Sequence, residues 1–512
     1  MKLLYFSPYA VDPYHSAITC ENLKRLHDEG HELFLLTCEQ SINRCFYNPD
    51  AKRRRCALCT SMQVSQELWL HDHGVRYHKL KLADFMPDPS AARDFVRAHA
   101  GWKSEEDLRA IRYHNGLDVG RSVLGTLLSL LRELHLDLER YRQAIDALML
   151  HAILIHEAAL AVLQQTGVDK AYVFNGRISE TRAVLMAVKA RALPWCMVEV
   201  WSAHDRFGLF DNGGPHDIQF LAGVLDRKLQ AVREGTVAPA AAAAADQWFQ
   251  HRQRGGMIDG KDILKFQKSG ALPPGFEAPG RRIVFYIGSR DEYICLDGWE
   301  MTLFQTQEHA IREIVGRYAH RPDVRFYVRV HPNLSGLDNA QTRDIAALAE
   351  LPRLTVLPSS SPVSTYALLA HADLAIVFGS TVGVEALHLG RPALLLAPAP
   401  YHRLPGILSP ASTAEACAHI DEFIEGRHAV DPQSCRDGAL AYGLLMTEFG
   451  VPFRHFRVTP HLEARTESGD AFDPHEHRAG LKYLLRRAAR NPLREFRRLA
   501  RVRELAQYRK HR

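Results

Sequence analysis

The stretch LAIVFGSTVGVEALHLGRP at 374–392 holds the most chemically suggestive residues of the chain. Its apolar run leads straight into Gly379, Ser380 and Thr381, and helical periodicity begins a few residues later. That pattern predicts a buried parallel strand, a tight turn and a helix. Small side chains at such a turn let an anion approach the backbone, and the free N–H groups at a helix start attract phosphate. Glu385 falls about one helical turn further in. Its carboxylate could hold sugar or ribose hydroxyls, or simply complement the helix dipole. Upstream, FYVRVHPN at 326–333 predicts another buried strand, ending in Arg329 and His331. Strand ends carrying Arg329, His331, Ser380 and Thr381 make a candidate nucleotide-phosphate crevice, with Arg329 or His331 supplying positive charge or a proton. A strand expected from Arg282 ends in a polar loop carrying Ser289 and Arg290, whose plain reading is a solvated N-cap.

A second group lies in the N-terminal half. Phe174, Asn175, Gly176 and Arg177 end one expected strand, and Glu199, His204 and Asp205 lie at or after the end of the next. Open α/β sheets place ligands at such carboxyl ends. Glu199, His204 and Asp205 are the candidates for a catalytic base that takes a proton from a hydroxyl near neutral pH. Asn175 and Arg177 suit an acceptor or an anionic group, and a salt bridge is the plain alternative for Arg177. Cys38, Cys45, Cys56 and Cys59 crowd one short segment of a chain with nine cysteines. Their spacing allows a structural zinc ion, free or redox-sensitive thiols, or an iron–sulfur cluster.

These residues need elements to hold them. Lys2–Phe6 and His31–Thr37 are expected strands flanking a helix over Ser16–Gly30. A long helical region is expected from Arg121 to Leu163, followed by strands at Lys170–Phe174 and Trp195–Val200 with a helix at Ser179–Ala190 between them. Strands alternating with helices imply parallel, doubly wound sheets. Alternation restarts at Arg282 and continues through strands near 325–330, 353–357, 373–378 and 393–397. Between them lie an alanine run and several Pro and Gly residues, a composition that suggests a boundary. The expected organisation is an N-terminal domain over 1–255 with the cysteine-rich loop 38–59, a linker over 256–280 and a C-terminal domain over 281–430. A closing segment over 431–477 and a tail over 478–512 complete it.

With 512 residues, 46% hydrophobic and 24% charged, the chain has the composition of a soluble globular protein. The N-terminus lacks the pattern of a signal peptide, so a cytoplasmic location is expected. The net charge of +5 hides an asymmetry: residues 478–512 carry +11 and the rest −6. Apolar residues recur at helical spacing in that basic tail, so an amphipathic helix is expected that either lies on anionic lipid, giving peripheral attachment to the inner face of the cytoplasmic membrane, or packs as a solvated surface helix on its own domain. No aromatic-basic interleaving points to nucleic acid.

Taken together, Arg329-Val330-His331-Pro332, the run 364–373, Gly379 to Glu385 and Gly390-Arg391-Pro392 resemble bacterial capsule and surface-polysaccharide biosynthesis proteins of the GT-B glycosyltransferase fold. The likeness covers roughly residues 282 to 400, with weaker support from Tyr5 to Pro8 and Gly30 to Glu32. It implies two Rossmann-like domains facing across a cleft, the nucleotide-sugar held mainly by the C-terminal domain and the acceptor mainly by the N-terminal one, with Ser289 and Arg290 on a loop at that cleft where they could reach the leaving phosphate. The implied activity is transfer of a sugar from a nucleotide-sugar to a surface-glycan acceptor, free or lipid-linked. No cofactor is expected for catalysis, since the chain lacks an Asp-x-Asp motif and that fold works without metal. A nucleotide-sugar 2-epimerase, a polyol-phosphate transferase of the same fold and a non-catalytic nucleotide-binding scaffold are the alternatives.

Overall fold

The computed structural model describes residues 1–202, 205–255, 257–258, 261–262 and 264–472. His204 and the basic tail over 478–512 lie outside the described residues. The chain forms two compact units: 1–126, 137–214 and the segment from Gly450 in one, 127–136 and 215–449 in the other.

In the first unit, β1 (Lys2–Ser7), β2 (Glu32–Thr37), β3 (His78–Lys81), β4 (Lys170–Phe174), β5 (Trp195–Val200) and β6 (Arg206–Asp211) form a sheet with a short late strand, β13 (Val451–Pro452). The order is β13-β6-β5-β4-β1-β2-β3. β1 to β5 run parallel, while β6 and β13 pair antiparallel at one edge, a departure from the wholly parallel expectation. The apolar strands are buried because helices cover the sheet. Helix α1 (Pro13–Asp28) starts where Asp12 accepts hydrogen bonds from the Tyr14 and His15 amides, with proline at its first position. Helices α2 (Arg53–Asp72), α3 (Arg142–Thr166) and α4 (Ser179–Ala190) complete the layers used below. Although α3 is long and apolar enough to cross a membrane by length and composition, 67% of its most apolar window is buried, as in a core helix.

The helical region expected from Arg121 to Leu163 is two helices, Val119–Leu131 and α3. Arg132 adopts a left-handed φ of 54°, which stops the first helix despite the continuing apolar period.

The second unit is a sheet of β7 (Arg281–Tyr286), β8 (Val324–Arg329), β9 (Leu354–Leu357), β10 (Leu374–Val377), β11 (Ala393–Leu395) and β12 (Ile407–Leu408), ordered β9-β8-β7-β10-β11-β12. All of its pairings are parallel. Phe285, Phe326, Val328 and Ile376 point from one face into a single apolar cluster. The domain boundary expected near 255 instead falls at 214/215. Helices α5 (Ile218–Arg233) and α6 (Pro239–Arg254), the latter containing the alanine run, therefore belong to the second unit. The expected linker is docked rather than free. Lys268 N–H bonds to the Pro362 carbonyl at 2.9 Å, and Ala271 accepts from Ser364 N–H at 2.8 Å. Residues from Gly450 return to the first unit through β13.

Gly450 has a φ of 86°, and a Cβ there would collide with the Phe207 carbonyl of β6. Gly450→Ala should therefore cost about 2 kcal/mol or more, from the left-handed backbone plus the displaced carbonyl. A denaturant midpoint equal to that of the parent protein would argue against the β6–β13 pairing.

Candidate active site

Each sheet reverses its strand order once, between β1 and β4 in the first unit and between β7 and β10 in the second. Such a switch point leaves a crevice at the carboxyl ends, because the loops leaving the two strands turn to opposite faces.

In the second unit the loop after β7 carries Ser289 and Arg290, and the turn after β10 carries Gly379, Ser380 and Thr381. The two ends are close: a Cβ on Gly288 would lie 3.8 Å from the Phe378 carbonyl oxygen. Gly379 has a φ of 85° and sits against the Pro398 carbonyl and the Trp299 ring, so the turn needs glycine for both conformation and space. Ser289 is buried and accepts a hydrogen bond from Arg132 Nη2 at 3.0 Å, and Arg132 Nε pairs with Asp291 at 2.9 Å. Arg132 also donates to the Asn333 carbonyl at 3.1 Å. It therefore joins the loops after β7 and β8, a role nothing in its local sequence signals. Arg290 is paired with buried Glu308 at 3.2 Å.

Arg329 and Tyr286 are register partners on β8 and β7. Arg329 is only 3% exposed, yet its hydrogen bonds go to neutral groups, Thr365 Oγ1 at 3.2 Å and the Pro358 carbonyl at 3.0 Å. Its Nη2 and the Tyr286 hydroxyl are buried without hydrogen-bond partners. Burial pulls the guanidinium down to about 10, with the Tyr286 phenol opposing. His331 Nδ1 accepts from the Asn333 N–H at 3.1 Å, which fixes the ring at the loop start.

The turn's other two residues are engaged differently from the expectation. The Ser380 hydroxyl accepts from Val382 N–H at 3.3 Å, and its carbonyl accepts from the Tyr401 hydroxyl at 2.5 Å. Glu385, 2% exposed, is in an ion pair with Arg252 of α6 at 2.8 Å, and Arg252 Nη2 reaches Thr381 Oγ1 at 3.0 Å. Thr381 also donates to Glu385 at 3.1 Å. The Arg252 guanidinium lies over the Trp248 ring, 4.8 Å from its centroid. Glu385 thus braces the helix α7 (Val382–His388) from inside, and its carboxylate is committed to Arg252. Beside the turn, a cavity of about 300 Å³ is lined by Leu395 to Ala399, Asp297, Thr302 and His402 among others.

In the first unit the loops after β1, β4 and β5 bring a separate set together. Asn175 and Gly176 have φ of 55° and 72°. Asn175 turns its amide N–H onto Glu199 Oε2, while Glu199 Oε1 accepts from Val200 N–H at 2.8 Å. Burial pushes the Glu199 carboxyl up, opposed by the nearby His15, by those hydrogen bonds and by Arg177. His15, at the start of α1, packs on Phe174 with centroids 4.1 Å apart, and its Nδ1 meets the Tyr47 hydroxyl at 3.1 Å. Tyr9 donates to buried Glu180 at 2.7 Å. The sequence reading found Asn175, Arg177 and Glu199 but missed His15, Tyr9 and Tyr47, although Asp12-Pro13 does mark the helix start beside His15. Asp205 is exposed at the head of β6, and none of the contacts that build this cluster involves its side chain. His204 is not among the described residues.

Cys38, Cys45, Cys56 and Cys59 all line one cavity with Tyr9, Tyr47 and Gln63. Burial pushes the Cys38 thiol up to about 11 and raises Cys45 and Cys59 as well. Among the described residues no group of three or more His, Cys, Asp or Glu side chains is placed to hold a single metal ion.

Residues 301–419 match the family model of capsule polysaccharide biosynthesis proteins. The matched stretch contains Arg329, His331, Ser380, Thr381 and Glu385, so the resemblance drawn from those motifs is met by the family model itself. No curated protein matches the chain significantly. Solved structures similar to it include two of Thermosulfurimonas dismutans KpsC. Its beta Kdo 2,7 transferase is 13% identical, covering 62% of this chain and 86% of that one, with a TM-score of 0.34. Its beta Kdo 2,4 transferase is 16% identical, covering 54% and 79%, with a TM-score of 0.32. The UDP-GlcNAc 2-epimerase of Neisseria meningitidis is 10% identical, covering 87% and 100%, with a TM-score of 0.25. Likenesses this remote carry no weight in assigning an activity.

Arg252→Met should cost about 3–5 kcal/mol, because it strands the Glu385 carboxylate in the interior. Adding Glu385→Leu should recover much of that loss. If the double variant is as unstable as the single losses summed, the two residues act independently and the ion pair is not what braces the turn.

Proposed function

We propose that this protein is a glycosyltransferase that moves a sugar from a nucleotide-sugar onto a surface-glycan acceptor such as a capsule, O-antigen or exopolysaccharide chain. The observation that carries this reading is Arg329. A nearly buried guanidinium with no carboxylate among its contacts stands at the end of β8, inside the stretch that matches the capsule family. An uncompensated buried cation costs several kcal/mol, and an anionic ligand offsets that cost.

In this reading the donor's phosphates lie over Gly379 and Ser380, faced by Arg329 and His331, with Ser289 and Arg290 holding the adjoining loop and Thr381 and Glu385 holding the turn in shape. The nucleoside fills the neighbouring cavity lined by Leu395 to Ala399. As the bond from the anomeric carbon to phosphate breaks, negative charge grows on the leaving oxygen, and these cations and hydroxyls stabilise it without a metal ion. The first unit takes the acceptor. Glu199, set by Asn175 and flanked by His15 and Arg177, accepts the proton of the attacking hydroxyl. Asp205 and His204 are the remaining candidates for that base. The basic stretch 478–512 would hold the enzyme on anionic lipid at the inner face of the cytoplasmic membrane, near a lipid-linked acceptor.

Purified protein incubated with UDP-, GDP-, CMP- and TDP-sugars and a glycan acceptor tests the reading. Glycan extension with release of the nucleotide supports it. A changed sugar on an intact nucleotide would indicate a 2-epimerase, and binding without turnover a scaffold. Deleting 478–512 should slow transfer to acceptor in anionic liposomes and spare transfer to a short soluble one.

Arg329→Met gives a sharper test, since it removes a buried charge. It should leave the melting temperature unchanged or raised, while donor affinity falls about 100-fold, or about 3 kcal/mol. Reduced stability with unchanged donor affinity would make Arg329 a structural residue.

The pH dependence tests Glu199. Its carboxyl titrates above the ordinary glutamate range, so the base is lost as pH falls through that raised value, and kcat/KM should drop there. His15→Gln removes a neighbour that favours the carboxylate, so the acid limb should move to higher pH. An acid limb that stays put in His15→Gln, or near-normal rates in Glu199→Gln, would assign the base elsewhere.

A further inference from the structure

The cysteine cavity of the first unit has no part in the chemistry above, and its composition is unusual. Four of the nine cysteines line it, contributed by the segment after β2 (Cys38 and Cys45) and by the first two turns of α2 (Cys56 and Cys59). The sulfurs already accept hydrogen bonds from the surroundings: Ala10 N–H reaches Cys59 Sγ at 3.3 Å, and Asn48 Nδ2 reaches Cys56 Sγ at 3.2 Å. Gln63 also lines the cavity. It is 3% exposed, and its Nε2 has no hydrogen-bond partner. A buried amide donor without an acceptor beside four thiols marks a space built for something that accepts hydrogen bonds.

A single zinc ion is a poor occupant. Tetrahedral zinc with bonds of about 2.3 Å needs its four sulfurs about 3.8 Å apart, and no such convergence exists among the described residues. A polynuclear centre relaxes that requirement, because each thiolate binds its own iron and the four cysteines stand around the centre instead of around one atom. Its bridging sulfides are also acceptors for N–H groups such as the Gln63 amide. The charge fits too, because Arg55 also lines the cavity and sets a cation beside an anionic centre.

We propose that Cys38, Cys45, Cys56 and Cys59 bind an iron–sulfur cluster of the four-iron type. Each cysteine gives up its thiol proton on binding iron, and the N–H groups of Ala10 and Asn48 become donors to the ligating sulfurs. The cluster has a structural consequence for the neighbouring site. The segment it pins carries Tyr47, whose hydroxyl meets His15, and Arg55 ties down the Tyr47 carbonyl at 3.0 Å. It therefore holds the wall behind His15, whatever reaction that wall serves.

The full chain, produced and purified without oxygen and then offered ferrous and ferric iron in equal amounts with sulfide, which together supply a mixed-valence core without a separate oxidant, tests the assignment independently of any transferase activity. The expected result is about four irons and four acid-labile sulfides per chain, with broad visible sulfide-to-iron absorption. Cys56→Ser/Cys59→Ser should lose both, and Cys417→Ser in the second unit should lose neither. Wild-type protein that stays colourless and free of iron after reconstitution would overturn the proposal, even if the cysteine variants misfold. One tightly held zinc per chain with no labile sulfide would overturn it as well.

Discussion

An open parallel sheet has to reverse its strand order somewhere, and that constraint organises each unit of this protein. At the reversal, neighbouring strands send their following loops to opposite faces, so their carboxyl ends remain uncovered. In the second unit the reversal between β7 and β10 sets Ser289 beside the Gly379 turn. In the first it sets the loop after β1, with Tyr9 and His15 beyond it, beside Asn175. Ser289, Ser380, Thr381 and Asn175 stand on these loops, and Arg329 and Glu199 stand on the next strand out.

How the charges at these ends are neutralised separates supporting residues from ligand-facing ones. Arg290 has Glu308, Arg132 has Asp291, and Arg252 has Glu385, each pair within 3.2 Å. Those pairs hold loops in place, since removing either partner would strand a charge away from water. Arg329 differs, because it is buried more deeply and its hydrogen bonds go to a hydroxyl and a carbonyl, with the Tyr286 phenol nearby. A protein with no use for an anion there would gain stability by replacing it with an apolar side chain. The unmet charge is therefore better explained by a ligand than by folding.

The strands and the turn at 379–381 were legible in the sequence because burial on both faces leaves an unbroken apolar run, which a short window detects. The roles of single polar residues were not, because their partners are remote. Glu385 looked like a ligand-facing carboxylate while its partner Arg252 lay 133 positions away. Arg132 is 159 positions from Asp291 and sits where the apolar period had suggested uninterrupted helix. His15 carries no motif, and it gains meaning only when Phe174 and Tyr47 are folded against it. The boundary at 214/215 escaped for a related reason. Pro, Gly and Ala mark a change in local conformation, whereas a domain boundary depends on which helices share a core, and α5 and α6 share theirs with the second sheet.

The first unit shows why a proton-accepting carboxylate needs more than burial. Burial alone raises the Glu199 carboxyl by disfavouring its charged form, which works against a base. The neighbouring His15, the Asn175 amide, the Val200 N–H and Arg177 all favour the ionised form, so they oppose the effect of burial without leaving the group in open water. That balance depends on where His15 stands. Its ring is fixed by Phe174 on one side and the Tyr47 hydroxyl on the other, and α1 is locked at its start by the Asp12 cap and Pro13. Of these supports only Tyr47 belongs to an irregular segment, between residues 38 and 52, where Glu39, Gln40 and Ala51 all take left-handed φ values. A segment carrying that much local strain holds its shape only when its surroundings over-determine it. The thiol-lined cavity beneath it is where such a constraint can act, so the positioning of His15 and the occupancy of the cysteines form one structural problem.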